Sequence, residues 1–130
     1  MINLKTSTEQ EVFDFVVTSL LRQGRRSVVT DEYGIPSCKY RGPDGTKCAA
    51  GFLIPDDQCT DEMEGNTTNR LHIAGLFDFS PHEKLVEELQ YAHDSSASEF
   101  CRDFSSEARR IATMFSLSLD AIKFEPNYVA

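Results

Sequence analysis

Cys38-Lys39-Tyr40-Arg41-Gly42-Pro43-Asp44-Gly45-Thr46-Lys47-Cys48-Ala49-Ala50-Gly51-Phe52-Leu53-Ile54-Pro55-Asp56 is the stretch on which the reading of this chain turns. At its centre, Gly42-Pro43-Asp44-Gly45 is a strong turn signal. Pro43 presets φ at the second position, and Gly45 tolerates positive φ. The flanks Cys38-Lys39-Tyr40-Arg41 and Thr46-Lys47-Cys48 therefore predict a short hairpin over 38–48. Ala49 to Ile54 reads two ways. It extends the second strand, or it forms a short buried helix with Ala49, Phe52 and Leu53 on one face. Ala49-Ala50-Gly51 permits close backbone packing in either case. Pro55 ends whatever precedes it.

Outward from this segment, helical patterns dominate. Ser7-x-x-Gln10 and Thr8-x-x-Glu11 are capping boxes, and Val12, Phe13, Val16, Val17, Leu20 and Leu21 follow at helical spacing. A helix over 7–23 follows, stopped by Gly24. Val28 and Val29 make a short β-prone run, and Asp31 to Ser37 reads as loop. Residues 55–68 form an acidic, turn-rich loop, followed by a short helix over 68–77. Ser80-Pro81-His82-Glu83 places Ser80 at the N-cap of a helix over 81–93. A helix over 96–116 follows, with Glu99 closing a capping box on Ser96. It carries Phe100, Phe104, Ala108, Ile111 and Phe115 on one apolar face. A short helix is expected around Asp120 to Lys123, then a loose tail after Pro126. The sum is one α+β domain over 1–130, with about four helices packed around a short antiparallel hairpin or small sheet.

Composition bounds the function. The chain has 130 residues with 40% hydrophobic and 26% charged content, which suits one globular domain. No apolar run approaches the roughly 18 residues that a spanning helix needs. The N-terminus also lacks a signal-peptide pattern. A cytoplasmic protein with four unpaired thiols, Cys38, Cys48, Cys59 and Cys101, is the expectation. The net charge of −8 is unevenly spread. Residues 53–100 hold 11 acids against 2 bases, whereas the two flanks are nearly balanced. This field disfavours direct nucleic-acid binding and suits a protein partner with a basic surface.

Three phrases carry a resemblance. They are Leu21-Arg22-Gln23-Gly24; the segment from Cys38 to Asp56, with Met63-Glu64-Gly65 after it; and Leu89-Gln90-Tyr91-Ala92-His93-Asp94. Together they resemble a group of small proteins of bacteriophages and bacterial mobile elements. The match spans most of residues 12–94, and the Tyr-Arg-Gly-Pro-Asp-Gly phrase is its specific part. The resemblance implies a phage or mobile-element origin and no particular activity. By analogy with small phage accessory proteins, it implies a protein that binds and inhibits a host factor, such as a defence component in the manner of an anti-CRISPR protein.

Candidate sites follow from residue chemistry. Asp56, Asp57, Asp61, Glu62 and Glu64 are the expected partner-binding acids. Tyr40 and Arg41 join them as residue types that anchor interfaces. The competing placement has Tyr40 in the core and Arg41 paired with Asp56 or Asp57. A metal-dependent or cysteine hydrolase centred on Cys48, His93 and Asp94 is the alternative. A zinc site from Cys38, Cys48, Cys59 and a histidine is a further one, against buried cysteines serving as small hydrophobes. No C-x-x-C pair supports zinc, and His93-Asp94 reads equally well as a helix-end pair. The favoured expectation is therefore a non-enzymatic binding protein with no catalytic residues, metal or cofactor. The third class is a structural or assembly module, as a monomer or a homodimer.

Overall fold

The computed structural model describes residues 2–96 and 99–123. Helix α1 runs Glu9–Gln23. The Thr8 hydroxyl accepts from the Glu11 N–H at 3.1 Å, and the Glu11 carboxylate accepts from the Thr8 N–H at 2.8 Å. This reciprocal pair satisfies donors that a helix start leaves open. At the other end Gly24 takes the left-handed conformation (φ 76°) and its N–H closes on the Leu20 carbonyl. The apolar stripe read from the sequence is the buried face, from Val12 to Leu21.

Strands β1 (Val28–Thr30) and β2 (Pro36–Cys38) pair antiparallel, with Val28 opposite Cys38 and Thr30 opposite Pro36. The hairpin therefore lies before the expected 38–48 segment, in residues read partly as loop. Asp31 closes it: its carboxylate accepts the N–H groups of Tyr33 and Ile35 at 2.8 and 2.9 Å. The Gly42–Gly45 turn does form, and the Gly42 N–H reaches the Thr46 carbonyl at 2.8 Å. No ladder extends from it, because side chains take the strand donors. Glu64 binds the N–H groups of Tyr40 and Arg41. Gln23 takes the N–H of Lys47, and Gln90 that of Ala50. Of the two readings of Ala49 to Ile54, the helical one holds, as a 3-10 turn over Ala50–Leu53.

The acidic loop is not shapeless. It folds into 3-10 turns at Asp56–Gln58 and Asp61–Met63, with Met63 buried beneath. Helix α2 (Thr68–Ile73) is shorter than the expected 68–77. Helix α3 (Glu83–Ser95) starts later than expected, with His82 rather than Ser80 at its cap position. The Ser80 hydroxyl is engaged elsewhere, accepting from the Lys5 ammonium at 2.7 Å. Helix α4 covers Phe100–Phe115 and α5 covers Asp120–Lys123. The expected capping box at 96–99 includes residues 97 and 98, and the tail after Pro126 comes after residue 123. Both lie outside the described residues.

Helices α1, α3 and α4 enclose the core, and the 50–53 turn packs against α1 and α3. The described residues make one small α+β domain of five α-helices and a two-stranded antiparallel sheet. Among them, no helix is long and apolar enough to cross a membrane.

Gly51 shows how tightly the central segment packs. A Cβ there would sit 2.5 Å from the Tyr40 carbonyl oxygen. Gly51→Ala is expected to destabilise the protein by about 1–3 kcal/mol, as overpacking does. Urea denaturation measures this, and an unchanged midpoint would contradict the packing described.

Candidate functional site

Two constellations compete for the role of site, and the first is Cys38, His93 and Asp94. Their ligand-type atoms lie within 4.8 Å of one another, the one such grouping among the described residues. The end of β2 brings Cys38, and the last turn of α3 brings the other two. The sequence reading paired His93 and Asp94 with Cys48. Here Cys38 makes the hydrogen bond to Asp94, while Cys48 is buried nearby. Cys59 is not part of the grouping.

The hydrogen bonds fix what this cluster can do. The buried Ser27 N–H donates to His93 Nε2 at 3.0 Å. A backbone N–H only donates, so Nε2 carries a lone pair and Nδ1 carries the proton. That proton points at Asp94 Oδ1, 2.8 Å away. His93 is fully buried. Neither ring nitrogen is free to accept a proton from a thiol. A metal on Nδ1 would force a proton onto Nε2, against the Ser27 N–H. The donor set therefore does not fit a metal without breaking the bond that ties α3 to β1.

The ionisation states agree with a structural role. Burial pushes the Cys38 thiol up to about 12, and its hydrogen bond to Asp94 adds to this. Burial also pushes Cys48 up to about 12. Burial alone would raise Asp94, but hydrogen bonds from His93, Cys38 and Gln90 hold it below the usual carboxylate value. The sign for Asp94 follows: its stabilisation is present above the ordinary carboxylate pKa and is lost as pH falls through the lowered value. For the thiols it is complete below the ordinary thiol pKa and is lost as pH rises towards about 12. A cavity of about 380 Å³ opens beside them, lined by Cys38, Tyr40, Cys48, Tyr91 and Asp94 among others.

The second constellation is the acidic loop with Tyr40 and Arg41. Tyr40 is 6% exposed and its hydroxyl donates to the Asn66 carbonyl at 2.6 Å. Burial raises its phenol pKa. Arg41 points inward along the backbone. Its guanidinium donates to the carbonyls of Tyr40 (3.0 Å), Gly51 (2.8 Å) and Ile54 (2.6 Å). It also pairs with Asp56 at 2.9 Å. This is the competing placement from the sequence, in which the Tyr-Arg phrase belongs to the framework. Glu64 is framework too, because its two oxygens hold the N–H groups of Tyr40 and Arg41 at 2.9 and 3.2 Å. Asp56 is exposed but paired, and Lys47 first and Arg41 second lower its pKa.

Asp57, Asp61 and Glu62 remain. All three are exposed on the two 3-10 turns, and none makes an ion pair among the described residues. Sequence reasoning missed Ser27 and Gln90, whose partners lie far away in the chain. It also missed the apolar groove beside the loop, formed in part by Leu53, Pro55, Leu76 and Phe77. The only signal for that groove was an excess of apolar residues next to Pro55 and before Asp78. No family model, curated protein or solved structure matches this chain.

Two measurements check these placements. Alkylation with iodoacetamide at pH 8 is expected to leave Cys38 and Cys48 unmodified in the native protein, as raised thiol pKa values require. Labelling of either at the rate of a free thiol would contradict the geometry. Arg41→Lys keeps the charge but loses the planar fork. It is expected to cost about 2 kcal/mol in urea denaturation.

Proposed function

We propose that this chain is a non-enzymatic protein that binds a partner protein bearing a basic surface, through the loop from Asp56 to Glu62. One observation carries the reading. Asp57, Asp61 and Glu62 project into solvent, without ion pairs among the described residues, from a loop tied down at both ends. Asp56 is bound to Arg41 at one end, and Glu64 is bound to the 40–41 backbone at the other. A loop already held in place loses less conformational entropy on binding. Clustered charge of one sign also steers an oppositely charged partner.

The hydrolase alternative is weaker, because His93 has no ring nitrogen free to serve as a base. The resemblance to bacteriophage and mobile-element proteins makes a host protein the expected partner. The host cytoplasm is then the expected compartment, and inhibition of a defence or regulatory factor the expected outcome. The negative charge of residues 53–100 argues against nucleic acid as the ligand.

An affinity pull-down from host lysate tests this with two baits. The wild-type protein is expected to retain a specific basic protein. A variant carrying Asp57→Asn, Asp61→Asn and Glu62→Gln is expected to lose it, with an unchanged melting temperature. Equal capture by both baits would defeat the reading.

A further inference from the structure

We infer that the groove beside the acidic loop is an anchor pocket for one large apolar side chain, presented by a basic segment of the partner protein. This rests on the reading of the loop as the contact surface and adds the chemistry of what docks there.

The groove holds about 580 Å³ and runs between the N-terminal arm, the 53–58 segment and the chain after α2. Its apolar lining comes from Ile2, Leu4, Leu53, Pro55, Leu76 and Phe77. Leu4 and Leu53 are buried at its floor, and Ile2, Pro55, Leu76 and Phe77 are half-buried along it. Such a volume lies within the ordinary range for ligand pockets.

Charge complementarity selects the occupant. Pro55 and Gln58 line the groove, and they bracket Asp56 and Asp57 in the same 3-10 turn. The groove edge and the first turn of the acidic loop are therefore one continuous surface. Lys5, the basic residue in the lining, is neutralised by Asp78 at 2.9 Å and hydrogen-bonded to Ser80. An apolar slot beside the Asp57 carboxylate, unpaired among the described residues, with Asp61 and Glu62 further along the loop, fits an aromatic or long aliphatic side chain flanked by lysine or arginine. It does not fit an anionic lipid, whose headgroup the loop would repel. A buried aromatic anchor within a polar rim is also where interfaces concentrate their binding energy.

The protein contains no tryptophan, so a tryptophan in a probe reports its own burial without background. The probe is the peptide Lys-Lys-Lys-Trp-Lys-Lys-Lys, and the control replaces its tryptophan with serine. The tryptophan peptide is expected to show blue-shifted emission on binding and about tenfold higher affinity than the control. Gln58 is exposed at the groove and its side chain makes no hydrogen bond among the described residues, so Gln58→Phe fills the groove without disturbing the core. That variant is expected to lose the blue shift and the tenfold advantage while binding the serine peptide as before. Neutralising Asp57, Asp61 and Glu62 is expected to weaken both peptides alike. Equal affinity of the two peptides with emission typical of water-exposed indole would overturn the anchor and leave the acidic-loop reading standing. A blue shift that survives Gln58→Phe would likewise overturn it. Failure of both peptides to bind the wild-type protein would overturn both readings.

Discussion

The Arg41 guanidinium is the interaction on which the centre of this protein depends. A sheet of two three-residue strands cannot organise a domain of this size by its own ladder. The backbone between β2 and α2 holds only short 3-10 turns and neither a strand nor an α-helix, so many of its polar groups need other partners. Arg41 offers five N–H donors in a rigid fork. It uses them on the carbonyls of Tyr40, Gly51 and Ile54 and on the Asp56 carboxylate. Glu64 answers from the other side by accepting the N–H groups of Tyr40 and Arg41. One cation and one anion thus replace a stretch of missing β-ladder. Hydrogen bonds to charged groups are worth more than neutral ones, which suits a segment that no ladder supports.

His93 performs a similar service for the backbone at Ser27. It joins α3 to the start of β1 through the Ser27 N–H, and Asp94 fixes its tautomer. Ser27 in turn donates its hydroxyl to the Lys39 carbonyl, and its own carbonyl accepts the Lys39 N–H. Of these side chains, His93 Nε2 is taken by a backbone N–H, while His93 Nδ1 and the Cys38 thiol are both turned to the Asp94 carboxylate. Each member of the cysteine, histidine and aspartate grouping therefore has a partner within the fold.

The helices were legible in the sequence because their determinants are local. Thr8, Glu11 and Gly24 mark both ends of α1 within its own span, and the α4 stripe repeats at helical spacing. The hairpin was misplaced because the Gly42–Gly45 turn signal is real, while strand pairing depends on remote groups. Nothing near Tyr40 announces that Glu64 will take its N–H, or that Gln23 and Gln90 will take those of Lys47 and Ala50. The start of α3 was misjudged for the same reason, since Lys5 reaches the Ser80 hydroxyl from the far end of the chain. The acidic character of the middle third was plain in the composition. Which of its carboxylates are structural was not, because Asp56 and Glu64 differ from Asp57, Asp61 and Glu62 only in what folds against them.

That division bears on the proposed binding role. Exposed charge gives steering and solubility, but alone it discriminates poorly among basic partners. Specificity needs shape and a desolvated contact beside the charge. In this protein the Arg41–Asp56 pair, which belongs to the bonds that satisfy the irregular backbone, also holds the first acidic turn, whose Gln58 lines the apolar groove beside Pro55. Loosening the Arg41 anchor would therefore do more than lower stability. It would let the carboxylates move relative to the groove, and a partner that reads both together would lose the fixed spacing between them.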